Sequence, residues 1–350
     1  MSSTRERAKP ELLTRDAFRR AVFARDGGKC VLCDGPAVDA HHIVERRLFS
    51  DGGYYLDNGA SVCAHHHLAC EMTVVSVEDV REACGIKRRI VPSHLYADQM
   101  IDKWGNPILT NGQRLRGELF DDPSVRSILE RGNVLGLFTQ RVKYARTHHA
   151  PWSLGVSDDD RIIESMEGFV GRRVVVTEKM DGENSTVYRD YVHARSVESG
   201  GHPSRDWLKG FVSAWQHELP EGWRVCGENL YAKHSIAYSD LPSYFMGFSV
   251  WNEWNACLEW DETLEWFELL GVTSVPVLYD GTYDEQTIRS LWSDAQHESS
   301  EGYVVRLAGS FPYGDFRRSV CKFVRKDHVR TAKHWFFGQR IERNGLNHER

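Results

Sequence analysis

The run VVTEKMDGENSTVY sets Lys179 between Glu178 and Asp181, at the end of an apolar stretch that stops at Gly182. A lysine amine attacks an electrophile only after losing its proton, so burial or neighbouring charge must supply what its own pKa does not. On this segment alone Lys179 could equally be a solvated turn residue. Later segments carry the other groups that a lysine attacking a nucleotide phosphate needs. Glu228 closes an apolar run in CGENLYAKHS, placed for a ribose hydroxyl, and Phe248 lies in YFMGFSVW, suited to stacking under a base. Glu301 precedes Gly302 in SSEGYVVR, and Lys322 sits in the basic run DFRRSVCKFVRKDHVR. Cations around phosphate and an acid for a metal are what charge development at phosphorus requires. Taken singly, Glu228 and Glu301 could be capping or salt-bridged carboxylates, Phe248 a core aromatic, and Arg195 and Arg306 surface cations.

A second constellation lies earlier. Cys30-x-x-Cys33 is answered thirty residues on by Cys63-x-x-His66, two chelating pairs able to close a tetrahedral zinc site that staples a small fold. Cys70 is an alternative fourth ligand. Tetrahedral Cys/His ligation favours zinc among the soft-ligand metals. Between and after the pairs run AHHIVERR, LDNGASVC and HHH.

These groups need elements to hold them. TRDAFRRAVFARDGGKC reads as a helix with Thr14 or Asp16 at its start and Gly27-Gly28 at its end. DAHHIVERRLF reads as a strand, DGGYYLDNGA as a loop and VCAHHHLAC as a helix start. Turn signals punctuate residues 86–150, with a helix at SVRSILE. Beyond, strands RRVVVTEK, STVYRDYVHA, GWRVCGE, YFMGFSVWN and GYVVRLA alternate with helices DWLKGFVSAWQHEL and DETLEWFELLG. This mixture predicts an α+β domain built on antiparallel sheet. The expected organisation is a metal-stapled unit at 1–90, a connecting region at 91–150, the α+β domain at 151–335 and a tail at 336–350.

The formal charge of -6 gives no global signature of nucleic-acid binding, which local basic clefts can still support. No apolar run has membrane length, the polar start MSSTRERAKP has no signal pattern, and five of the eight cysteines lie between Cys30 and Cys84 beside clustered histidines. A reducing cytoplasm and no membrane partner are therefore expected.

In order and spacing, the later segments resemble the covalent nucleotidyltransferase superfamily of polynucleotide ligases and capping enzymes, most closely the ATP-dependent RNA ligases. KMDGEN is similar to their K-x-x-G-x-N motif, where DNA ligases and capping enzymes usually place Arg at the position of Asn184. The resemblance covers roughly residues 140–334. It implies that Lys179 carries AMP, with Glu178 and Asn184 beside it in the nucleotide site. By the same resemblance Arg195 contacts phosphate or the RNA 5' end, and Glu228 holds the ribose. Phe248 stacks on adenine, Glu301 acts on a divalent metal, and Lys322 reaches the α-phosphate. Where the family's last motif has two lysines separated by one residue, VCKFVRK leaves Arg325 or Lys326 as substitutes. Only 28 residues follow Lys322, which predicts no OB domain there.

The earlier unit resembles the HNH nucleases, the ββα-metal fold. That likeness implies His42 as general base, His41 and His67 on a catalytic divalent metal, and Asn58 fixing the loop. Such a module either cuts or only binds nucleic acid, RNA or DNA, helped by Arg46, Arg47 and Lys87-Arg88-Arg89.

Together the resemblances imply an enzyme using ATP, magnesium or manganese, and zinc. It would join RNA 5'-phosphate and 3'-hydroxyl ends through lysyl-AMP and adenylylated RNA, in RNA repair or processing. The other classes are a metal-dependent endonuclease with a nucleotide- or RNA-gripping domain, and a non-enzymatic nucleic-acid binder. Lys179, Glu228, Glu301 and Lys322 occurring together favour the ligase, because a binder needs no nucleophilic amine.

Overall fold

A computed structural model describes residues 10–95, 99–157, 160–199, 201–293, 299–326 and 341–347. The end of the basic run after Lys326, and most of the expected tail, lie outside the described residues. The chain divides into two compact units, Met1–Val142 and Lys143–Arg350.

In the first unit, helix α1 (Arg15–Arg25) is capped by the Thr14 hydroxyl, which accepts from Ala17 N, and buries Phe18 and Val22. Strand β1 (Asp39–His42) pairs antiparallel with β2 (Gly59–Val62), His42 facing Gly59. The stretch DAHHIVERRLF is thus a four-residue strand followed by a single tight turn at Arg46–Leu48, because the Glu45 carboxylate accepts from Arg47 N and caps that turn. Helix α2 (Ala64–Glu71) follows β2 directly, with Cys63 at its N-cap, so the order is strand, strand, helix. Helices α3 (Val77–Ala83) and α4 (Pro123–Arg131) complete the unit. One core gathers Ile43, Val44, Leu48, Ala60 and Val62 with Val77 and Val80, and another gathers Trp104, Phe120, Val125 and Leu129. Residues 91–142 therefore pack within this first unit.

The second unit is two sheets. The five-stranded sheet runs β11 (Val277–Thr282), β4 (Arg173–Glu178), β12 (Gly302–Leu307), β14 (Val320–Val324), β3 (His148–His149). The seven-stranded sheet runs β13 (Phe311–Pro312), β9 (Ala256–Cys257), β8 (Phe245–Trp251), β7 (Arg224–Asn229), β5 (Glu183–Tyr188), β6 (Val192–Ala194), with β10 (Thr273–Ser274) beside β8. Val174, Val176, Tyr303 and Val305 of the first sheet share a core with Cys226, Trp251 and Phe311 of the second. Helices α5 (Asp206–Val212) and α6 (Trp260–Leu270) cover the other face of the larger sheet through Leu208, Val212, Phe267 and Leu270.

The expected antiparallel sheet is mixed, since β10 runs parallel to β8 and β14 parallel to β3. A parallel neighbour needs a crossover, and α6 supplies the one between β8 and β10. STVYRDYVHA is a hairpin and not one strand: the chain turns at Arg189-Asp190, with Tyr188 N donating to Tyr191 O.

Candidate active site and metal centres

Strand β4 is buried along Val174–Thr177 and delivers Lys179 just past its end, where Lys179 N donates to Gly302 O at 2.9 Å. The Lys179 ammonium pairs with Glu301 Oε2 at 2.5 Å, and its side chain keeps 24% of its surface exposed. Burial alone would lower this lysine's pKa, yet the fields of Glu301, Glu228 and Asp181 outweigh it and hold the amine above its ordinary value. The free protein therefore keeps Lys179 charged, inside a ring of carboxylates.

Glu301 is buried at the entrance of β12, its carbonyl accepting from Arg325 N. Glu228 on β7 accepts from Gly182 N through Oε1 at 3.2 Å, and burial pushes its carboxyl up to about 8 against the pull of Lys179. Asn184 stands opposite Glu228 in the β5–β7 pairing, and its shielded Oδ1 accepts no hydrogen bond from the described residues. Lys322 on β14 is lowered to about 8 by burial and then by Lys179, with Asp160 at 3.8 Å opposing the shift. Phe248 on β8 is half-buried and meets Tyr144 edge-on at 5.3 Å. Half-buried Glu178 is raised by burial and steadied by Ser300.

Lys179, Glu301, Glu228, Asn184 and Lys322 thus converge through direct pairing, ladder register or mutual field. Arg195 is exposed just after β6 and acts on Lys322 only through its charge. Of the two substitute cations, Arg325 is a fully buried side chain and Lys326 is exposed. Gly302 has φ +147, and a Cβ there would lie 2.1 Å from Phe323 O, so only glycine lets β12 and β14 close behind the Lys179 turn. The sequence reading gave no role to two contributors, Asp181 and Asp160. Asp181 lay in the quoted motif with no role attached. Asp160 lies 3.3 Å from His149, one of the paired histidines of RVKYARTHHAPW that the sequence places at the pocket or its rim. A parallel bridge of His149 to Ile162 and the pairing of β3 with β14 bring both to Lys322.

The resident groups suit a nucleotide with its divalent ion. A shielded unsatisfied acceptor, a desolvated carboxylate and a cation lowered by burial are all polar atoms awaiting partners. Magnesium is usually held by one or two carboxylates plus substrate phosphates, so no ready-made cage is required.

In the first unit Cys30, Cys33, Cys63 and His66 place their donor atoms within 4.8 Å of one another. Cys30 Sγ and Cys63 Sγ each lie 3.4 Å from His66 Nδ1, and Cys33 Sγ lies 3.8 Å from Cys63 Sγ. A zinc tetrahedron has sulfur–sulfur edges of about 3.8 Å and sulfur–nitrogen edges of about 3.5 Å. The donor set fits that ion. Hydrogen bonding from the His66 backbone helps bring the Cys63 thiol down to about 6, toward the ligating thiolate. Cys70 is packed in the apolar core and pushed up to about 12 by burial, which leaves His66 as the fourth ligand of the compact set.

A second cluster brings together His41, His67 and Glu71. Glu71, one turn after His67 on α2, was not singled out from sequence, although the i, i+4 spacing was there to see. Lys103, 4% exposed, reaches the same Glu71 Oε1 at 3.2 Å and Glu45 at 3.3 Å. His42 stacks on Phe18 at 4.7 Å and is lowered to about 4 by burial and then by Lys103, so it is neutral at pH 7. It lines a cleft of about 200 Å³ with Arg15, Arg19, Arg46 and Tyr54. Asn58, buried, donates to Val44 O and Gly53 O and accepts from Val44 N, which pins the loop between the strands.

The family model for RNA ligase matches residues 172–324. No curated protein matches the chain significantly. Among solved structures, the Naegleria gruberi RNA ligase with PPi is 19% identical with a TM-score of 0.37, over 53% of this chain and 56% of that one. An archaeal ATP-dependent RNA ligase is 17% identical with a TM-score of 0.38, over 53% of this chain and 48% of that one. The chain thus spans about half the length of these relatives. By the family match, residues 172–324 are an RNA ligase enzyme domain. Among the described residues no helix is long and apolar enough to cross a membrane.

Proposed function

We propose that this chain, with an RNA ligase domain at residues 172–324, is an ATP-dependent RNA ligase that joins 5'-phosphate and 3'-hydroxyl ends through a lysyl-AMP intermediate. The observation that carries this reading is the convergence of Lys179 with Glu301, Glu228 and Lys322 at one strand end, inside the matched segment.

The Lys179 Nζ lone pair attacks the α-phosphorus of ATP. An N–P bond forms, the bond from the α-phosphorus to the bridging oxygen breaks, and pyrophosphate leaves. The amine must first give up the proton that Glu301, 2.5 Å away, helps retain. A magnesium or manganese ion held by Glu301 would offset the carboxylate field and polarise the phosphate. Lys322 neutralises charge on the α-phosphate, Glu228 accepts from a ribose hydroxyl, and Phe248 gives adenine an apolar face. Glu178 and Asn184 line the same site, and Arg195 at its exposed side receives the RNA 5'-phosphate. An oxygen of that phosphate then attacks the AMP phosphorus, the N–P bond breaks and Lys179 leaves as the amine. The RNA 3'-oxygen, its proton lost to solvent, attacks the activated 5'-phosphorus, forming the phosphodiester and expelling AMP. All three steps put charge on a phosphoryl group among the same donors, so one pocket serves them.

Incubation with α-labelled ATP and magnesium tests the reading. Label should become covalently attached to the protein through a bond that survives alkali and is cleaved by acid, as a phosphoramidate is. It should vanish in Lys179→Ala, and 5'-phosphorylated RNA should then be sealed by the wild type. A wild-type protein that never acquires label removes the proposal.

For the first unit, the cluster of His41, His67 and Glu71 beside His42 favours a zinc-stapled, metal-dependent phosphodiester-cleaving module acting on RNA or DNA. His41, His67 and Glu71 would hold the divalent ion, and neutral His42 would accept the proton of water. Cleavage abolished by His42→Ala supports this. Nucleic-acid binding that survives without any cleavage leaves only a binding module, engaged through Arg46, Arg47 and the Lys87–Arg89 run.

A further inference from the structure

Lys179, Met180, Asp181 and Gly182 cross from β4 in one sheet to β5 in the other, so no strand ladder holds them. Their backbone is fixed by individual bonds. Lys179 N donates to Gly302 O, and Gly182 N donates to Glu228 Oε1. At the middle of the turn Asp181 N donates to the Tyr238 hydroxyl at 3.0 Å, and Asp181 Oδ2 accepts from Ile236 N at 2.7 Å. Both of these partners lie in the connection between β7 and β8.

That connection is in turn held by residues 341–347. Tyr238 N donates to Asn344 Oδ1 at 2.9 Å, while Gly345 N donates to Tyr238 O at 2.9 Å, so the Tyr238 backbone is gripped on both sides. Buried Asn344 also donates through Nδ2 to Leu230 O at 2.7 Å, and its carbonyl accepts from the Tyr244 hydroxyl at 2.8 Å. A second route is apolar: Leu346 shares one buried cluster with Leu230, Leu241, Tyr244 and Met180, the residue after the lysine.

We propose that residues 341–347 act as a strap that sets the position of the Lys179 amine, with Asn344 and Tyr238 as positioning residues for AMP transfer. The inference rests on the ligase reading above. Neither side chain touches the reacting atoms. Their effect is on where the nucleophile stands, and an in-line attack tolerates little displacement.

Single-turnover transfer of labelled AMP, measured at several ATP concentrations, tests it on the full chain. In Tyr238→Phe the turn loses one acceptor and keeps its apolar contacts. The transfer rate at saturating ATP should fall about tenfold, whereas half-saturation should move less than about threefold. Asn344→Ala should show the same split with a larger loss of rate, and Leu346→Ala should repeat it through the apolar route. Because Asn344→Ala removes a buried network and could fail to fold, Tyr238→Phe, with an unchanged melting transition, is the deciding variant. Wild-type rates in folded Tyr238→Phe and Leu346→Ala overturn the strap and leave the ligase standing. A wild-type protein without any label overturns the ligase reading itself.

Discussion

Asn184 and Glu228 face each other across the antiparallel pairing of β5 and β7, so the two side chains issue from the same face of the sheet. One offers a shielded oxygen lacking a donor from the described residues, the other a carboxylate that burial drives toward neutrality. Such a pair costs the free protein stability and suits a ligand bearing hydroxyl and amine donors.

Removing the unsatisfied acceptor should therefore separate folding from chemistry. Asn184→Ala is expected to change unfolding free energy by less than about 1 kcal/mol in urea titration, because no internal bond to Oδ1 is lost. AMP transfer in the same variant should drop by about tenfold or more.

Glu228 makes stability depend on pH with a definite sign. A carboxyl raised from its ordinary value to about 8 in the folded state contributes fully below about pH 4.5, and that contribution is lost as pH rises through 8. Glu228→Gln keeps an acceptor for Gly182 N and abolishes this dependence. Its unfolding free energy at pH 7.5 should exceed that of the wild type by on the order of 2 kcal/mol, while ATP binding weakens.

Lys322 sets the alkaline limb of activity. Lowered to about 8, it loses its charge as pH rises through that value. Because the reactive fraction of Lys179 grows as pH climbs toward its raised pKa, the kcat/KM of AMP transfer should rise with pH up to about 8 and level off above it as Lys322 loses its charge. Lys322→Arg, which stays protonated, should let the rise continue.

Zinc removal should affect the first unit selectively. With Cys30, Cys33, Cys63 and His66 released, burial of Ile43, Val44 and Ala60 has to stand without its staple. Structural zinc contributes roughly 10 kcal/mol or more to small domains. Chelation, or Cys33→Ser, should expose backbone amides between Cys30 and Cys70 to rapid hydrogen exchange, while AMP transfer continues with magnesium supplied.

The parts legible in sequence were those whose chemistry is local. K-x-x-G-x-N fixes Lys179 and Asn184 within six residues, and C-x-x-C with C-x-x-H names a ligand set that the structure brings within bonding reach. Helix α3 carried a readable sign as well, since Ser76 and Asp79 form a reciprocal cap, but SVED was passed over. Strand β11 had little to offer a pattern search: none of its residues is buried, its alternation from Leu278 on is only between exposed and intermediate, and its pairing with β4 is bulged. Lys103, Tyr238 and Asn344 could not be found by spacing at all. Each matters through a hydrogen bond or ion pair to a residue dozens of positions away, and only the folded backbone sets those distances.

The parallel pairing of β14 with β3 has a consequence for biosynthesis. His148 and His149 emerge from the ribosome early, yet their partners Cys321 and Lys322 arrive some 170 residues later. At about 5–20 residues per second, β3 waits on the order of ten seconds or more with its edge unpaired. Strand β4 likewise lacks its neighbour β12 through much of that interval. A nascent chain of this kind has high contact order and depends on late closure, so stalled or prematurely ended translation should yield a sticky fragment and not a weakly active one.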